Sequence, residues 1–233
     1  MDLIFGKPLW VASTNFWVVR SAKASRECVL IDVPPEPTII IDFLREHSLK
    51  PVAIIATHGH IDHTGGIPTI VEHQPYLIGD DAQQIPLHIH KNDRHYLLDP
   101  FGSSPLLGEV LKQAKLSSSV PEVIEFLDDD VTFSGAGMHF SSLHTPGHTP
   151  GSTCFKLQLA DLNPILFTGD HLFAGSIGRT DLAGGSHQTL IESMANKIWP
   201  LPDNTIILPG HGESTTIGIE KSTNPYLSEL RTY

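Results

Sequence analysis

The sequence predicts a layered α/β protein in which two β-sheets pack face to face with helices on the outside. Three observations lead there. The first half alternates strand, helix and strand. The second half, from about Glu122, is richer in β signals yet carries a helix of its own, so each half can supply a sheet and its cover. A length of 233 residues with 40% hydrophobic and 18% charged residues is enough for a sizeable core.

Residues 15–20 and 27–33 are β-branched and aromatic runs and read as strands. Pro34, Pro35 and Pro37 break the second, and residues 38–47 follow with apolar side chains at helical spacing. Pro51 opens a buried strand at 52–56. Gly65 and Gly66 precede a short helix at 67–73, and Tyr76, Leu77 and Ile78 suggest another strand. Residues 80–121 read as a surface excursion from a single domain spanning 1–233, with a helix at about 106–115. Strands are expected at 122–127, 131–133, 138–143, 152–159 and 164–168. A helix over about 187–198 begins behind Ser186, a good N-cap, and stops before Pro200. Residues 205–208 form the last strand.

Composition narrows the function. A net charge of −11 without a basic cluster argues against nucleic acid or an anionic membrane as partner. Two cysteines, Cys28 and Cys154, imply no disulfide framework. The N-terminus lacks the basic and apolar regions of a signal peptide, and no apolar run nears the roughly 20 residues of a membrane span. The expectation is a cytoplasmic protein. Fourteen histidines are the one oddity.

Four metal-capable side chains, His58, His60, Asp62 and His63, follow directly on the strand at 52–56. In extended chain, residues two apart point the same way, so His58 and His60 can share one metal. Asp62 and His63 come after the chain begins to turn and aim at a neighbouring position. Three more strands end in the same manner, at His144 to His148, at Asp170 and at His211. Glycine precedes His148, Asp170 and His211, which permits a tight or left-handed turn. Imidazole and carboxylate ligands without thiolate suit zinc, iron or manganese. His88 and His90 share a face but have no evident partner. His171 can donate to a neighbour or simply pack, and Cys154 reads as core.

This ordered set of motifs resembles the metallo-β-lactamase superfamily and, within it, the short bacterial-type glyoxalase II hydrolases. The resemblance implies an αββα sandwich of two mixed sheets with a dinuclear site. His58, His60 and His148 would hold one ion, Asp62, His63 and His211 the other, and Asp170 would bridge them. His144 falls outside the family's ligand slot, which is the histidine after Thr145, Pro146 and Gly147.

Two adjacent metals, most readily zinc, give a hydroxide at working pH and stabilise a tetrahedral anion, with Asp62 and Asp170 as the catalytic carboxylates. Such a site serves thioesters, lactones, β-lactams or phosphodiesters alike. The expected reaction is hydrolysis of a small 2-hydroxyacyl thioester. Arg179 falls where glyoxalase II proteins place a basic residue for the glutathione moiety, and guanidinium suits a carboxylate. Asp181 replaces a nearby tyrosine, Gly212 and Glu213 follow His211 where another tyrosine is expected, and only 22 residues follow His211, too few for the helical domain of longer relatives. The rival resemblance is to persulfide dioxygenase, which shares Gly178 to Asp181. It would bind one iron through His58, His148 and Asp170, but it tends to have cysteine where this chain has Ile177. A lactonase or a non-catalytic metal-binding module are further alternatives.

Overall fold

The computed structural model describes residues 2–79, 83–100, 117, 119–160 and 162–232. Six strands form the first sheet in chain order: β1 (Ile4–Leu9), β2 (Thr14–Val19), β3 (Glu27–Ile31), β4 (Lys50–Ile55), β5 (Leu87–His90) and β6 (Ile124–Leu127). β1, β2 and β3 are antiparallel, whereas β3, β4, β5 and β6 run parallel. The second sheet uses β7 (Thr132–Gly135), β8 (Met138–His144), β9 (Thr153–Leu157) and β10 (Ile165–Gly169). Beyond a small hairpin of β11 (Leu172–Phe173) and β12 (Ser176–Ile177), it is completed by β13 (Ile206–Pro209) and β14 (Thr215–Thr216). Its order is β14-β13-β10-β9-β8-β7, with β10 and β13 its parallel pair. Both sheets are mixed, as expected.

Alternation along each strand divides the core into three layers. Val29 and Ile31 of β3 and Ala53 and Ile55 of β4 face the second sheet, meeting Phe140, Phe155 and Phe167. Cys28, Leu30 and Ile54 point the other way, toward α1 (Pro37–Glu46), α3 (Ile67–Glu72) and α4 (Gln74–Ile78). On the far side Cys154, Leu166 and Ile207 pack under α6 (His187–Ser193) and α7 (Ile217–Thr223). Among the described residues the other α-helices are α2 (Ile61–Thr64) and α5 (Arg94–Leu98). Helices, sheet, sheet, helices is the αββα order. The three phenylalanines between the sheets are fully buried, and truncating one to alanine removes about 3–5 kcal/mol.

Helix ends follow the local sequence. Pro37 occupies the first turn of α1, where its missing N–H costs nothing, and Ile40, Ile41 and Leu44 form its buried stripe. Ser186 caps α6 by accepting from Thr189 N, and α6 continues as a π turn over Met194–Ile198. Among the described residues no helix is long and apolar enough to cross a membrane.

Three expectations change. The strand at Tyr76 to Ile78 is α4: Pro75 sets up its first turn, Leu77 is buried and Tyr76 is 83% exposed, so the apolar run winds around a short helix and only part of it enters the core. Residues 122–127 belong to the first sheet, beside β5. The supposed excursion at 80–121 contains an inner strand, since β5 lies between β4 and β6 with all four residues buried. The helix expected at 106–115 lies outside the described residues. One strand, β1, had no counterpart in the sequence reading, because Gly6 and Pro8 disguise an edge strand, where proline is tolerated.

Candidate metal centre

The parallel strands β4, β10 and β13 and the end of β8 deliver their following residues to one rim of the sandwich. Ligand sites at the carboxyl ends of strands are the rule in α/β sheets. His60 is extended (φ −61°, ψ 144°) and forms the N-cap of α2, so His58 and His60 share a face while Asp62 and His63 ride the helical turn. The division expected from their spacing is present.

Two groups result. His60 Nδ1 lies 3.1 Å from His58 Nε2 and 2.9 Å from His148 Nε2. The second group holds Asp62, His63 and His211, with His63 Nε2 and His211 Nε2 at 3.5 and 3.4 Å from Asp62 Oδ2. Asp170 stands between them: its Oδ2 is 3.6 Å from His148 Nε2 and 3.4 Å from His211 Nε2, and its Oδ1 is 3.2 Å from His63 Nε2. All seven residues predicted as ligands are thus brought together.

The residues fit metal ions. Ligands 2.0–2.1 Å from a tetrahedral ion sit roughly 3.3 Å apart, close to the nitrogen separations here. Asp170 Oδ1 is buried without a hydrogen bond of good geometry. Four imidazoles are held from behind at Nδ1, leaving Nε2 inward: His148 by the Arg179 carbonyl (2.7 Å), His211 by the Ala12 carbonyl (3.1 Å), His63 by Asp32 Oδ2 (2.8 Å) and His58 by Thr57 Oγ1 (3.2 Å). Such contacts fix tautomer and ring orientation in metal sites.

Sequence reasoning missed Asp32, Asp93 and Thr14. Asp32 lies at φ +56°, just past β3, and accepts from Thr57 N (2.8 Å), Thr57 Oγ1 (2.8 Å) and His63. Through Thr57 it orients His58 as well, so one buried carboxylate steers a histidine of each group. Asp32→Asn keeps the left-handed backbone, which asparagine tolerates, but replaces one of those acceptors. It is expected to weaken metal affinity about 10–100-fold, measured by chelator competition. Asp93, in the turn before α5, joins the segment carrying His58 and His60 to that carrying His148 by accepting from Gly59 N, Gly151 N and Thr149 Oγ1. Thr14 Oγ1 donates to Asp62 Oδ2 at 3.1 Å. Nothing local marked these three, since their value lies in long-range contacts.

Without ions, the two groups differ electrically. Burial drives His58 well below the ordinary histidine range and His60 to about 3, with neighbouring imidazoles adding to the effect. Burial would also lower His63, but Asp170, Asp32 and Asp62 raise it well above that range. His211, likewise opposed by burial, rises to about 10 through hydrogen bonds with Asp170 and Asp62. Burial alone would raise both carboxylates. Instead, chiefly through His63 and His211, Asp62 falls to about 2 and Asp170 well below its usual value. His58 and His60 are neutral and ready to ligate, whereas a cation entering the second group displaces protons.

Glycine serves two different purposes. Gly147 and Gly169 have positive φ (+141° and +48°), as the turn argument requires. Gly210 is not strained; a Cβ there would lie 2.4 Å from Asp170 Oδ1 and 2.6 Å from His63 Cε1. Only glycine lets that strand pass behind the centre.

Other candidates fall elsewhere. His144 Nε2 donates to the Pro150 carbonyl, away from the seven. His171 is buried, and neither ring nitrogen has a partner among the described residues. Cys154 lies in the core, where burial pushes its thiol up to about 12. Arg179 contributes its backbone carbonyl, while its guanidinium is exposed and makes a two-point ion pair with Asp181 (2.8 and 2.7 Å).

The family model described as "Metallo-beta-lactamase superfamily" matches residues 9–211. The chain belongs to that superfamily. Among superfamily relatives, it is 34% identical to the hydroxyacylglutathione hydrolase GloC of Haemophilus influenzae, over 87% of this chain and 88% of the relative. The crystal structure of the B3 metallo-beta-lactamase BLEG-1 is 34% identical with a TM-score of 0.77, covering 97% of this chain and 99% of that one. That of TTHA1623, in a di-iron-bound form, is 30% identical with a TM-score of 0.72, covering 96% and 100%. Membership makes the chain a metal-dependent hydrolase by family.

Proposed function

We propose that this protein is a dinuclear hydrolase that cleaves S-(2-hydroxyacyl) thioesters, in the manner of hydroxyacylglutathione hydrolases. The observation that carries the reading is the position of Asp170, within 3.6 Å of histidines from both groups. His58, His60 and His148 would hold one ion and Asp62, His63 and His211 the second, with Asp170 placed between the two groups. The likeness to GloC supports the thioester. The nitrogen and oxygen donor set suits zinc, with iron the alternative that TTHA1623 illustrates.

When bound there, two divalent ions would supply Lewis acidity and lower the pKa of a bound water toward neutrality. The chain's own residues arrange the rest. Asp32 and the Ala12 and Arg179 carbonyls fix the imidazoles, and Thr14 turns Asp62 so that its ionised carboxylate accepts the proton of the attacking water. Tyr96 OH donates to Ala183 O, and its ring packs edge-on to His60 with centroids 5.1 Å apart, walling that side.

Metal analysis of protein purified without chelator, with parallel assays on S-lactoylglutathione and on glutathione persulfide, tests the reading. Two equivalents and free thiol are expected. One iron with sulfite formation would point to the dioxygenase instead.

Arg179 meets the thiol carrier only by exchanging Asp181 for a substrate carboxylate. Arg179→Ala is therefore expected to raise KM about two- to fivefold, in line with an exposed ion pair, and to leave kcat nearly unchanged. Steady-state kinetics decide it; a larger fall in kcat than rise in KM contradicts the assignment.

A further inference from the structure

We infer a third divalent-cation site at the rim of the sandwich, built from His90, Asp129 and His144. It is distinct from the seven residues above. His90 ends β5, Asp129 lies in the turn between β6 and β7, and His144 ends β8. Their donor atoms lie within 4.8 Å of one another.

The decisive contact is behind His144. Its Nε2 is 2.9 Å from the Pro150 carbonyl, and a carbonyl only accepts. Nε2 therefore carries a proton and is turned away from the cluster, which leaves Nδ1 as the atom that faces Asp129 Oδ1, at 3.2 Å. A cation shared by these two atoms can take the place of any proton between them. His90 Nε2 reaches the same oxygen, at 3.0 Å. The arrangement repeats a device of the main centre, where Arg179 and Ala12 carbonyls hold His148 and His211 from behind.

Charge around the site singles out Asp129. Asp128 pairs with Lys91 and Asp130 with Lys197, which leaves the middle carboxylate of the run facing the two imidazoles. One carboxylate and two imidazoles form a donor set for Zn²⁺, and the exposed Asp129 side leaves a fourth position to water.

Binding asks for two small adjustments. The imidazoles of His90 and His144 stack, with centroids 3.8 Å apart and planes 9° from parallel, so one ring must swing to share an ion. His90 must also shift its proton to Nδ1 and release a 3.3 Å contact from Asn92 N–H. These costs make the rim site weaker than the buried pair. When filled, it ties the β6–β7 turn to the Pro150 segment of the loop that carries His148.

Equilibrium dialysis of the full chain against graded Zn²⁺, with elemental analysis, tests the site. A third equivalent is expected at zinc levels above those that fill the first two. His144→Ala and Asp129→Asn should each lose the third equivalent and keep the other two. Asp129 is exposed, so its variant remains informative if His144→Ala folds poorly. The proposal is overturned if the parent saturates at two equivalents, or if both variants retain a third. It is equally overturned if NMR shows His144 as an imidazolium whose signals zinc does not move. Loss of the third equivalent alone leaves the hydrolase reading intact, whereas failure of the first two removes that reading separately.

Discussion

Asp170→Ala is expected to abolish the paired metal centre and to lower the rate about a thousandfold or more. The carboxylate lies within 3.6 Å of His148, His63 and His211. No other residue touches both groups through a carboxylate in that way among the described contacts. Without it, two cations would face each other across a buried gap with no anion between them, and at least one must leave. Metal catalysis of this kind is worth several kcal/mol, and each 1.36 kcal/mol is tenfold in rate. Elemental analysis should show clearly less than two equivalents, and the thioester assay should approach background. A variant with full metal content and near-parental kcat would show that the bridge lies elsewhere. The fold should survive, because Asp170 makes its contacts at the rim and the Phe140, Phe155 and Phe167 core is untouched.

Asp93→Ala should be the most damaging change to stability outside the core. Its carboxylate takes Gly59 N–H at 2.8 Å, Gly151 N–H at 2.7 Å and Thr149 O–H at 2.7 Å, all buried. Alanine leaves these donors without acceptors. An unsatisfied buried donor costs about 1–3 kcal/mol, and shared relaxation keeps the total near 3–5 kcal/mol. For a chain of this length that is a fall of roughly 6–20 °C in melting temperature. Asp93→Asn keeps an acceptor oxygen and should lose about half as much. Calorimetry on the zinc-loaded protein reads both values, and equal melting temperatures for Asp93→Ala and the parent would mean that the two loops are held by other contacts. Metal affinity should fall along with stability, since the joined segments carry His58, His60 and His148.

Legibility in the sequence followed the range of the interaction. The four residues from His58 to His63 announced themselves because their spacing decides their direction, and the structure shows the extended-then-helical path that spacing implies. Five strands of the second sheet, β7, β8, β9, β10 and β13, were readable for the same local reason, whereas the two-residue β14 was not. Asp32 could be read only as the tail of a strand, yet it accepts from a threonine 25 residues away and a histidine 31 away. Asp93 sat in a stretch whose irregular composition suggested surface. The buried strand before it, Leu87 to His90, alternates leucine and isoleucine toward the helices with histidine toward the second sheet, and two histidines masked the inward face. Gly210 was read as a turn residue. Its actual constraint, the proximity of Asp170 and His63, exists only once β10 and β13 pair.

The division of the centre between halves of the chain has a consequence during synthesis. The residues from His58 to His63 leave the ribosome as a self-contained chelating motif, but His148 follows His60 by 88 residues and His211 follows His63 by 148. At about 5–20 residues per second, the nascent chain displays an incomplete chelator for roughly 4–18 s before His148 is even made. Any ion captured in that interval sits on a flexible segment and must be retained, or exchanged, while the second sheet forms and docks. Final occupancy is therefore expected to depend on which ion is free as the chain emerges, as well as on the geometry of the finished site. Protein made in cells grown on zinc, iron or manganese can then carry different ions in the same folded centre.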